Sequence, residues 1–430
     1  MTQDVQANLW SATARTCPPK VGPLDGDAKA EVAIIGGGFT GLSAGLHLAE
    51  GGADTVLLEA CDLGHGASGR NGGQVNPGLK WGASALEARF GEDGARLFRL
   101  AETAPDFLEG LVQRYQLDCR FCRDGVLRLA HTDAAFDRTR SEAEALAARG
   151  IPTELLNAEE IARRTGTCFY RGGMLDLRGG SVHPLELVHE LARASRAAGI
   201  RLHTKTPAVA LHQDAAGWRI VTPRGSLRAR HVIVATNGYS DALVPGMARS
   251  LLPVNSFQIA TEPLPDEVAS AILADGQTAY DSRRLIVYFR KSPDNRFVYG
   301  GRASFSSARD PGVEAPDYAA IHRAMLQTFP QLAQTSIAHR WTGLVCVTPD
   351  FLPHYHHPAE GLHAVVGFNG RGVALSIHAG AWLAGRMLDR PLSDVGVPCT
   401  KIRPIPLHRF RAPLLNLAMR SQQMLDWLGR

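Results

Sequence analysis

The chain is 430 residues long, with 45% hydrophobic and 20% charged residues, which is typical of a globular protein with two or three domains. Its net charge of +4 is small for this length and argues against an extended nucleic-acid-binding surface. No run of about 18 apolar residues predicts a membrane span, and the first twenty residues lack the basic start and apolar core of a signal peptide, so we expect a cytoplasmic protein.

The N-terminal third begins with an arm and continues with a βαβ unit. Residues 1–28 are polar and Pro-rich, which predicts an arm rather than a packed element. A short apolar strand at Glu31–Ile35 leads into a glycine turn, and apolar residues then recur at helical spacing up to Gly51. A second strand follows at Thr55–Glu59. The unit has the length of about 30 residues that a dinucleotide site requires.

The glycine turn matches the pattern G-x-G-x-x-G at Gly36, Gly38 and Gly41. These glycines allow a tight turn, a close approach of the backbone to a pyrophosphate and close packing of helix on strand. Glu59 ends the second strand, where its carboxylate can accept the hydroxyl groups of an adenosine ribose and repel a 2′-phosphate. We therefore predict a bound dinucleotide other than NADP.

The middle of the chain predicts a ligand loop and a mixed set of helices and strands. The loop at 61–78 is rich in glycine, which suggests that a ligand closely approaches its backbone. Helices are predicted at 133–149 and 315–329, and a strand pair at 285–290 and 296–302.

No metal site is predicted. Cys119 and Cys122 form a lone C-x-x-C pair without the second pair of a zinc site. The neighbouring His354, His356 and His357 are expected on an exposed hairpin.

A second unit of strand, glycine turn and helix near the C-terminus favours a flavin over a nicotinamide as the cofactor. The sequence "GFNGRGVALSIHAGA" lies some 310 residues beyond the first unit. Backbone N–H groups of Gly372, Val373 and Ala374 at this helix start would stabilise negative charge on the pyrimidine edge of a flavin. A nicotinamide has no use for such a site, so FAD is favoured over an NAD-dependent dehydrogenase. An unrelated helix that packs on the sheet is the alternative.

Six segments together resemble the FAD-dependent amine and amino-acid oxidoreductases of the D-amino-acid oxidase and glycine/sarcosine oxidase superfamily. They are "IIGGGFTGLSAGLHLAEGGADTVLLEA", "GHGASGRNGGQ", "GGSVHPLELV", "VIVATNGY", "RWTGLVCVTPDFLP" and "GFNGRGVALSIHAGAWLA". The likeness runs in order from about Ala30 to Gly385, and within the superfamily it is greatest to oxidases of gamma-glutamylated polyamines.

We therefore expect an α/β fold with a discontinuous Rossmann-like FAD-binding domain and a second, antiparallel α+β substrate domain. The expected division is an arm at 1–28, the FAD-binding domain at 29–83, 171–240 and 337–400, the substrate domain at 84–170 and 241–336, and a basic helical tail at 401–430.

The resemblance also implies which residues bind FAD. Those expected at the pyrophosphate are Gly36, Gly38, Phe39, Thr40, Gly41, Ala235 and Thr236. Those expected at the adenosine are Glu59, Ala60 and the backbone of Val209. Those expected along the ribityl chain and the isoalloxazine are Ser68, Arg70, Asn71, Gly72 and Gly73. Those expected at the pyrimidine ring are Gly370, Arg371, Gly372, Val373 and Ala374.

Enzymes of this superfamily move a hydride from an amine-bearing carbon to flavin N5, and the imine product hydrolyses. Such chemistry requires little acid–base machinery, so no compact catalytic signature is expected. Side chains expected to line the substrate pocket are Gln258, Tyr288 and Arg290 from the substrate sheet and Trp341, Asn369 and Arg371 from the flavin side. Core packing or a surface ion pair is the alternative for each of them.

Three departures from the superfamily pattern bear on the substrate, the cofactor link and the oxidant. Val345 stands where glycine-oxidase-like members have an arginine for the substrate carboxylate, which disfavours simple α-amino acids unless Arg290 or Arg371 substitutes. Gly343 stands where sarcosine oxidases attach flavin to a cysteine, so non-covalent FAD is expected. Val298 stands where those oxidases have a lysine that speeds the reaction with oxygen, so oxygen and another electron-transfer acceptor both stay open.

The expected function is FAD-dependent oxidation of a primary or secondary amine resembling gamma-glutamylputrescine. A cyclic or N-methyl amino acid such as pipecolate or sarcosine is the alternative substrate. The alternative of another class is the flavin module of a tRNA-modifying protein, against which the small charge counts. The expected partners are thus a small-molecule amine and an oxidant, without nucleic acid, and the oligomeric state stays open.

Overall fold

A computed structural model describes residues 8–304, 315–390, 394–411 and 413. The helices formed by these residues are α1 (Leu9–Thr13), α2 (Phe39–Glu50), α3 (Ala83–Phe90), α4 (Glu92–Glu102), α5 (Ala104–Tyr115), α6 (Asp133–Ala147), α7 (Ala158–Thr165), α8 (Pro184–Ala197), α9 (Asp266–Ala271), α10 (Pro316–Thr328) and α11 (Gly372–Met387). Within the described ranges, none of the helices has the length and apolar character needed to cross a bilayer.

The strands form two large sheets and one short pair. In chain order they are β1 (Ala28–Ile35), β2 (Thr55–Leu58), β3 (Gln74–Val75), β4 (Val126–Ala130), β5 (Glu154–Asn157), β6 (Gly172–Asp176), β7 (Gly180–Ser181), β8 (Arg201–His203), β9 (Ala210–Asp214), β10 (Gly217–Thr222), β11 (Gly225–Val234), β12 (Leu252–Pro263), β13 (Thr278–Asp281), β14 (Tyr288–Lys291), β15 (Arg296–Ser304), β16 (Ile337–Val347), β17 (His354–Ala359) and β18 (Leu362–Val366).

The first sheet has a parallel centre in the order β18-β11-β1-β2-β8, with β17 antiparallel at one edge. The last four residues of β1, 32–35, are all apolar and buried, as expected of a strand that is covered on both faces. Helices α2, α8 and α11 contribute to the core on one face, and the β9–β10 hairpin contributes to the other. This is the predicted Rossmann-like fold, and the expected fold class is confirmed.

The second sheet has the order β16-β12-β15-β14-β13-β4-β6-β5 and is antiparallel except where β13 runs parallel to β4. Its core is rich in aromatic side chains. Phe289 lies within 6 Å of both Phe297 and Phe329, with ring centroids 5.8 and 5.0 Å away. Helix α10 packs on this face through Tyr318, which meets Phe257 edge-on.

From Asn8 onward the N-terminal segment is packed against the protein, which differs from the arm predicted for residues 1–28. Helix α1 begins after Asn8, whose side chain accepts a hydrogen bond from the Ser11 N–H. Leu9 and Trp10 are fully buried against Trp341 and other residues of the second sheet. The segment has only one short apolar pair among polar residues, so its sequence carries no periodicity that predicts packing.

Two strands lie in a different sheet from the one predicted. Gly172–Asp176 pairs with β4 and β5, and Ile337–Val347 pairs with β12 along nearly its whole length, so both belong to the second sheet. The predicted division had assigned both to the FAD-binding domain. Strand composition does not encode the pairing partner, because either sheet would bury the same apolar residues. Most of the predicted helical tail lies outside the described residues, and its described part has one 3₁₀ turn at His408–Phe410.

Candidate active site

One long cavity of about 1600 Å³ runs between the two sheets. Its wall includes both the early glycine turn, at Gly36–Thr40, and the late turn, at Asn369–Val373. The cavity exceeds the roughly 300–1,000 Å³ of common ligand pockets, so it has room for a large ligand together with a smaller one. The two turns, more than 300 residues apart in sequence, therefore face the same space.

The early turn needs glycine for two separate reasons. Gly36 has φ +115°, and a Cβ there would lie 2.8 Å from the Ala235 carbonyl oxygen. A Cβ on Gly41 would lie 2.0 Å from the Gly36 carbonyl oxygen. Helix α2 starts directly after Gly38, which has no side chain to cap it. The Phe39 N–H donates to the Ser68 hydroxyl at 3.0 Å, and the positive dipole end of the helix lies at the cavity wall, where it favours an anion.

The carboxylate of Glu59 is held in the cavity wall by backbone. Its Oε2 accepts a hydrogen bond from the Gly37 N–H at 2.7 Å, and its Oε1 accepts one from the Cys61 N–H at 2.9 Å. Both carboxylate oxygens retain lone pairs for a ligand. This geometry suits the predicted contact with ribose hydroxyl groups.

The late turn is held by asparagine side chains. The Gly367 N–H donates to Asn237 Oδ1 at 2.9 Å, and the Thr348 N–H donates to Asn369 Oδ1 at 2.9 Å. Asn369 and Gly370 both have positive φ, at 51° and 82°. Helix α11 then begins at Gly372, again without a side-chain cap.

Helices α2 and α11 cross in close contact, which sets the distance between the two turns. A Cβ on Gly380 would lie 2.5 Å from the Thr40 carbonyl oxygen. The Ser43 hydroxyl donates to the Ile377 carbonyl at 2.6 Å. Consequently both helices start at the wall of the same cavity.

Of the six predicted substrate-pocket residues, four line the cavity: Gln258, Tyr288, Asn369 and Arg371. Burial raises the pKa of Tyr288 to about 12, so its hydroxyl is neutral, and it lies 3.0 Å from the Ser256 hydroxyl. Arg371 donates to the Pro77 carbonyl at 2.9 Å and to the Tyr280 hydroxyl at 3.2 Å.

The other two predicted residues, Arg290 and Trp341, do not line the cavity. Arg290 is buried behind the wall and donates to the carbonyls of Gly73 and Val182, at 2.9 and 2.8 Å. Burial lowers its pKa to about 10, so the guanidinium stays charged at neutral pH. Trp341 is also outside the wall and donates its indole N–H to the Arg70 carbonyl at 2.9 Å. Both side chains support the ligand loop instead of lining the pocket, because their donors are used by backbone.

Most of the predicted FAD-binding residues come together at the cavity. The wall includes Gly36, Gly38, Phe39, Thr40, Glu59, Ala60, Ser68, Arg70, Asn71, Gly72, Ala235, Thr236, Gly370, Arg371, Gly372 and Val373. Their individual contacts with a cofactor stay predictions.

Four predicted FAD-binding residues lie outside the wall. Gly41 and Ala374 lie in the first turn of helices α2 and α11, where both are buried. The Gly73 carbonyl faces Arg290 and the Val182 N–H. Val209 gives its N–H to the Val221 carbonyl at 2.8 Å, and the preceding residues Thr206, Pro207 and Ala208 line the cavity in its place.

Sequence reasoning missed several residues of the wall. Lys80, two residues beyond the predicted loop at 61–78, and Tyr280, on β13, were not predicted, because neither belongs to one of the six quoted segments. Asn237 lies inside the quoted motif "VIVATNGY", so its polar side chain after a buried strand was a usable signal. Asn76 has a buried Oδ1 without a hydrogen-bond partner among the described residues.

The comparisons with known proteins agree with this geometry. The family model described as "FAD dependent oxidoreductase" matches residues 31–386. The probable oxidoreductase OrdL of Rhizobium meliloti is 35% identical over 407 residues, covering 94% of this chain and 94% of the relative. The gamma-glutamylputrescine oxidoreductase of Escherichia coli is 34% identical over 433 residues, covering 98% of this chain and 99% of the relative. The glycine oxidase structure of Geobacillus kaustophilus has a TM-score of 0.74 at 22% identity, covering 85% and 95% of the two chains.

The chain belongs to the FAD-dependent oxidoreductase family. It is an oxidoreductase, and its cofactor is FAD, as predicted from the two glycine turns. The rival prediction of an NAD-dependent dehydrogenase is thereby excluded.

The residues of the cavity fit FAD. The glycine turn and the start of α2 would hold the pyrophosphate, Glu59 the ribose, and the start of α11 the pyrimidine edge. A Cβ on Gly38 would lie 2.8 Å from the Ser68 hydroxyl, so this part of the cradle admits backbone only. Burial raises the pKa of the Cys346 thiol to about 12, so this cavity-wall cysteine is not a thiolate, and the expectation of non-covalent FAD stands as a prediction.

Proposed function

We propose that this protein oxidises a primary or secondary amine that carries a carboxylate away from the amine, as gamma-glutamylputrescine does. The likeness to the Escherichia coli gamma-glutamylputrescine oxidoreductase spans both chains almost completely and supports this assignment. Bound FAD supplies a two-electron acceptor for the hydride of the amine-bearing carbon. The residues of this chain bind and orient the amine and exclude water.

The charge of the cavity wall is the observation that carries the proposal. The cationic residues of the cavity wall are Arg70, Lys80, Arg283, Arg284 and Arg371, and the acidic ones are Glu59, Asp241 and Asp281. Of the acidic residues, Glu59 accepts two backbone hydrogen bonds and Asp281 is paired with Arg283. This excess of positive charge favours a substrate with a carboxylate and disfavours a free diamine, which carries two positive charges.

A hydrogen-bond acceptor in the wall suits an amine. Gln258 is buried, and its Nε2 donates to the Arg70 carbonyl at 2.7 Å, which fixes the orientation of the amide. Its Oε1 has no partner among the described residues and borders the cavity. An acceptor in this position takes an N–H of the neutral amine, which is the form that hydride transfer requires.

The wall also disfavours simple α-amino acids. Val345 and Leu344 present apolar side chains to the cavity at the segment where glycine-oxidase-like members have their carboxylate-binding arginine. Arg371 is the remaining candidate for a carboxylate close to the flavin edge, and it supports the second proposal, a cyclic or N-methyl amino acid such as pipecolate or sarcosine.

The proposal is tested by mixing the FAD-loaded protein with single substrates in the absence of oxygen. We expect gamma-glutamylputrescine to bleach the visible flavin absorbance, and putrescine, glycine, sarcosine and pipecolate to do so much more slowly. Bleaching by pipecolate or sarcosine with no effect of gamma-glutamylputrescine contradicts the first proposal and supports the second. Readmission of air then shows whether oxygen restores the flavin colour, and therefore whether oxygen can serve as the electron acceptor.

A further inference from the structure

Three side chains hold the Arg70–Gly73 segment of the loop at 61–78 through its backbone carbonyls. The Arg70 carbonyl accepts hydrogen bonds from Gln258 Nε2 and Trp341 Nε1, at 2.7 and 2.9 Å. The Gly73 carbonyl accepts one from Arg290 Nη1 at 2.9 Å. These donors all come from the second sheet.

The carbonyl between them is held by the N-terminal helix. Trp10 donates its indole N–H to the Asn71 carbonyl at 2.8 Å. Its ring meets the Trp341 ring edge-on, with centroids 6.0 Å apart, and the Arg290 guanidinium lies over it at 5.8 Å. Trp10 thus packs against two of the three other side chains that hold the loop.

The position of Trp10 is itself fixed by buried polar contacts. The neutral His183 ring accepts the Glu186 N–H at Nδ1, so its Nε2 carries the proton and donates to the Thr13 hydroxyl at 3.1 Å. That hydroxyl donates to the Leu9 carbonyl at 2.7 Å. Arg120 donates to the Thr13 carbonyl at 2.6 Å and to the Glu186 carboxylate at 2.8 Å, which ties the end of α1 to α8.

We propose that Trp10 is a positioning residue for FAD, acting through the Arg70–Gly73 loop. The inference rests on FAD as the cofactor and does not depend on which amine is oxidised. Carbonyl anchors at three of the four residues, Arg70, Asn71 and Gly73, keep this segment of the loop in one conformation before the cofactor arrives. A preorganised loop loses less conformational entropy when the cofactor binds, so affinity rises without an additional contact.

The test compares two tryptophan-to-phenylalanine variants of the full chain. W10F removes the indole N–H and keeps an aromatic ring in the pocket. W218F is the matched control, because Trp218 donates its N–H to the Glu360 carbonyl at 3.0 Å in strand β10 and is not among the residues lining the cavity. FAD is removed from each protein, the dissociation constant is measured by titration with FAD, and the visible flavin spectrum is recorded on reloading.

We expect W10F to bind FAD about five- to tenfold more weakly, the effect of one lost hydrogen bond, and to show an altered flavin spectrum. W218F is expected to bind FAD within about twofold of the unchanged protein even where its unfolding temperature falls. W341F, which removes an anchor on the adjacent carbonyl, should weaken binding similarly, and the double variant should deviate from additivity, because both act on one loop.

Two results overturn the proposal. One is W10F with the FAD affinity and flavin spectrum of the unchanged protein. The other is an equal loss of affinity in W10F and W218F, which assigns the effect to general stability. If W10F fails to fold, W341F and the double variant W341F/Q258L test whether the hydrogen bonds to the loop carbonyls control FAD affinity. Unchanged FAD affinity in both variants rejects the proposal.

Discussion

Glycine residues that lie inside helices differ in what surrounds their missing side chain. Gly41, in the first turn of α2, packs directly on the Gly36 carbonyl, and this contact brings the helix start to the cavity. Gly110, in the second turn of α5, is exposed and has no atom outside its own helix within 4 Å. Alanine substitutions at the two positions therefore distinguish the cost of steric overlap, which arises at Gly41 alone, from the gain in helix propensity, which arises at both.

We expect G41A to lower the free energy of unfolding by about 1–3 kcal/mol, because the added methyl group must displace the glycine turn. The displaced turn should also bind FAD poorly, so the purified variant should be nearly colourless. G110A, its control, should raise the free energy of unfolding by about 0.5–1 kcal/mol and keep its FAD. Urea unfolding and the flavin absorbance of the purified proteins measure both effects. A yellow, fully stable G41A would show that the turn tolerates a side chain.

Helix α11 carries a buried histidine whose protonation opposes helix packing. The His378 ring stacks on Phe107 of α5 at 4.3 Å, and its Nδ1 lies 3.1 Å from the Leu100 carbonyl. Burial lowers the pKa of His378 to about 4, well below the value near 6.5 of the unfolded chain. Between these two pH values the unfolded chain binds more protons than the folded one. The stabilising contribution of this residue is therefore complete above pH 6.5 and is lost as the pH falls towards 4.

We expect the free energy of unfolding of the unchanged protein to fall between about pH 7 and pH 5.5, with about 1 kcal/mol of that loss due to His378. H378N retains a hydrogen-bond donor near the Leu100 carbonyl but does not titrate, so its pH dependence should be less steep by that amount. Urea unfolding at both pH values measures the difference. Because His183 and His363 are also buried with pKa values lowered to about 3, only the difference between the two proteins is assigned to His378. Equal slopes would contradict the assignment.

The wall of the cavity is built from both sheets and carries charges of both signs. Glu59 follows β2 of the Rossmann-like sheet. Arg283 and Arg284 follow β13 of the second sheet, and Lys80 lies two residues beyond the loop at 61–78. Lys80 lies over the Phe351 ring at 3.6 Å, where partial burial lowers the pKa of its amine. A substrate carboxylate would restore a favourable partner for that amine.

We expect K80M to raise the KM for gamma-glutamylputrescine about two- to fivefold and to leave kcat nearly unchanged, because the lysine meets the substrate away from the reacting carbon. The difference should shrink with added salt, which screens an exposed charge. Lys29, exposed on β1 and not in the cavity wall, gives the matched control K29M. An unchanged KM in K80M at low salt would show that Lys80 does not bind the substrate. The flavin-bleaching screen would still identify the substrate independently of this result.

The substrate-pocket residues show why part of the site was accessible to sequence reasoning. Gln258 and Tyr288 were predicted from their place on strands of the second sheet, and both line the cavity. Arg290 was predicted in the same way, yet its guanidinium is directed at the Gly73 and Val182 carbonyls. Strand position predicts that a side chain lies near the site, but it does not specify whether the side chain meets ligand or backbone.

Local sequence patterns predicted the two glycine turns, the helices that follow them and the position of the Glu59 carboxylate. Those features depend on local backbone geometry and on apolar periodicity within some 30 residues, which neighbouring residues encode. The hydrogen bond from Trp10 to the Asn71 carbonyl and the pairing of Ile337–Val347 with β12 become apparent in the folded chain alone, because these contacts join segments 61 and more residues apart. A single tryptophan or strand can satisfy its buried groups in many places, and the packing of the complete chain selects one of them.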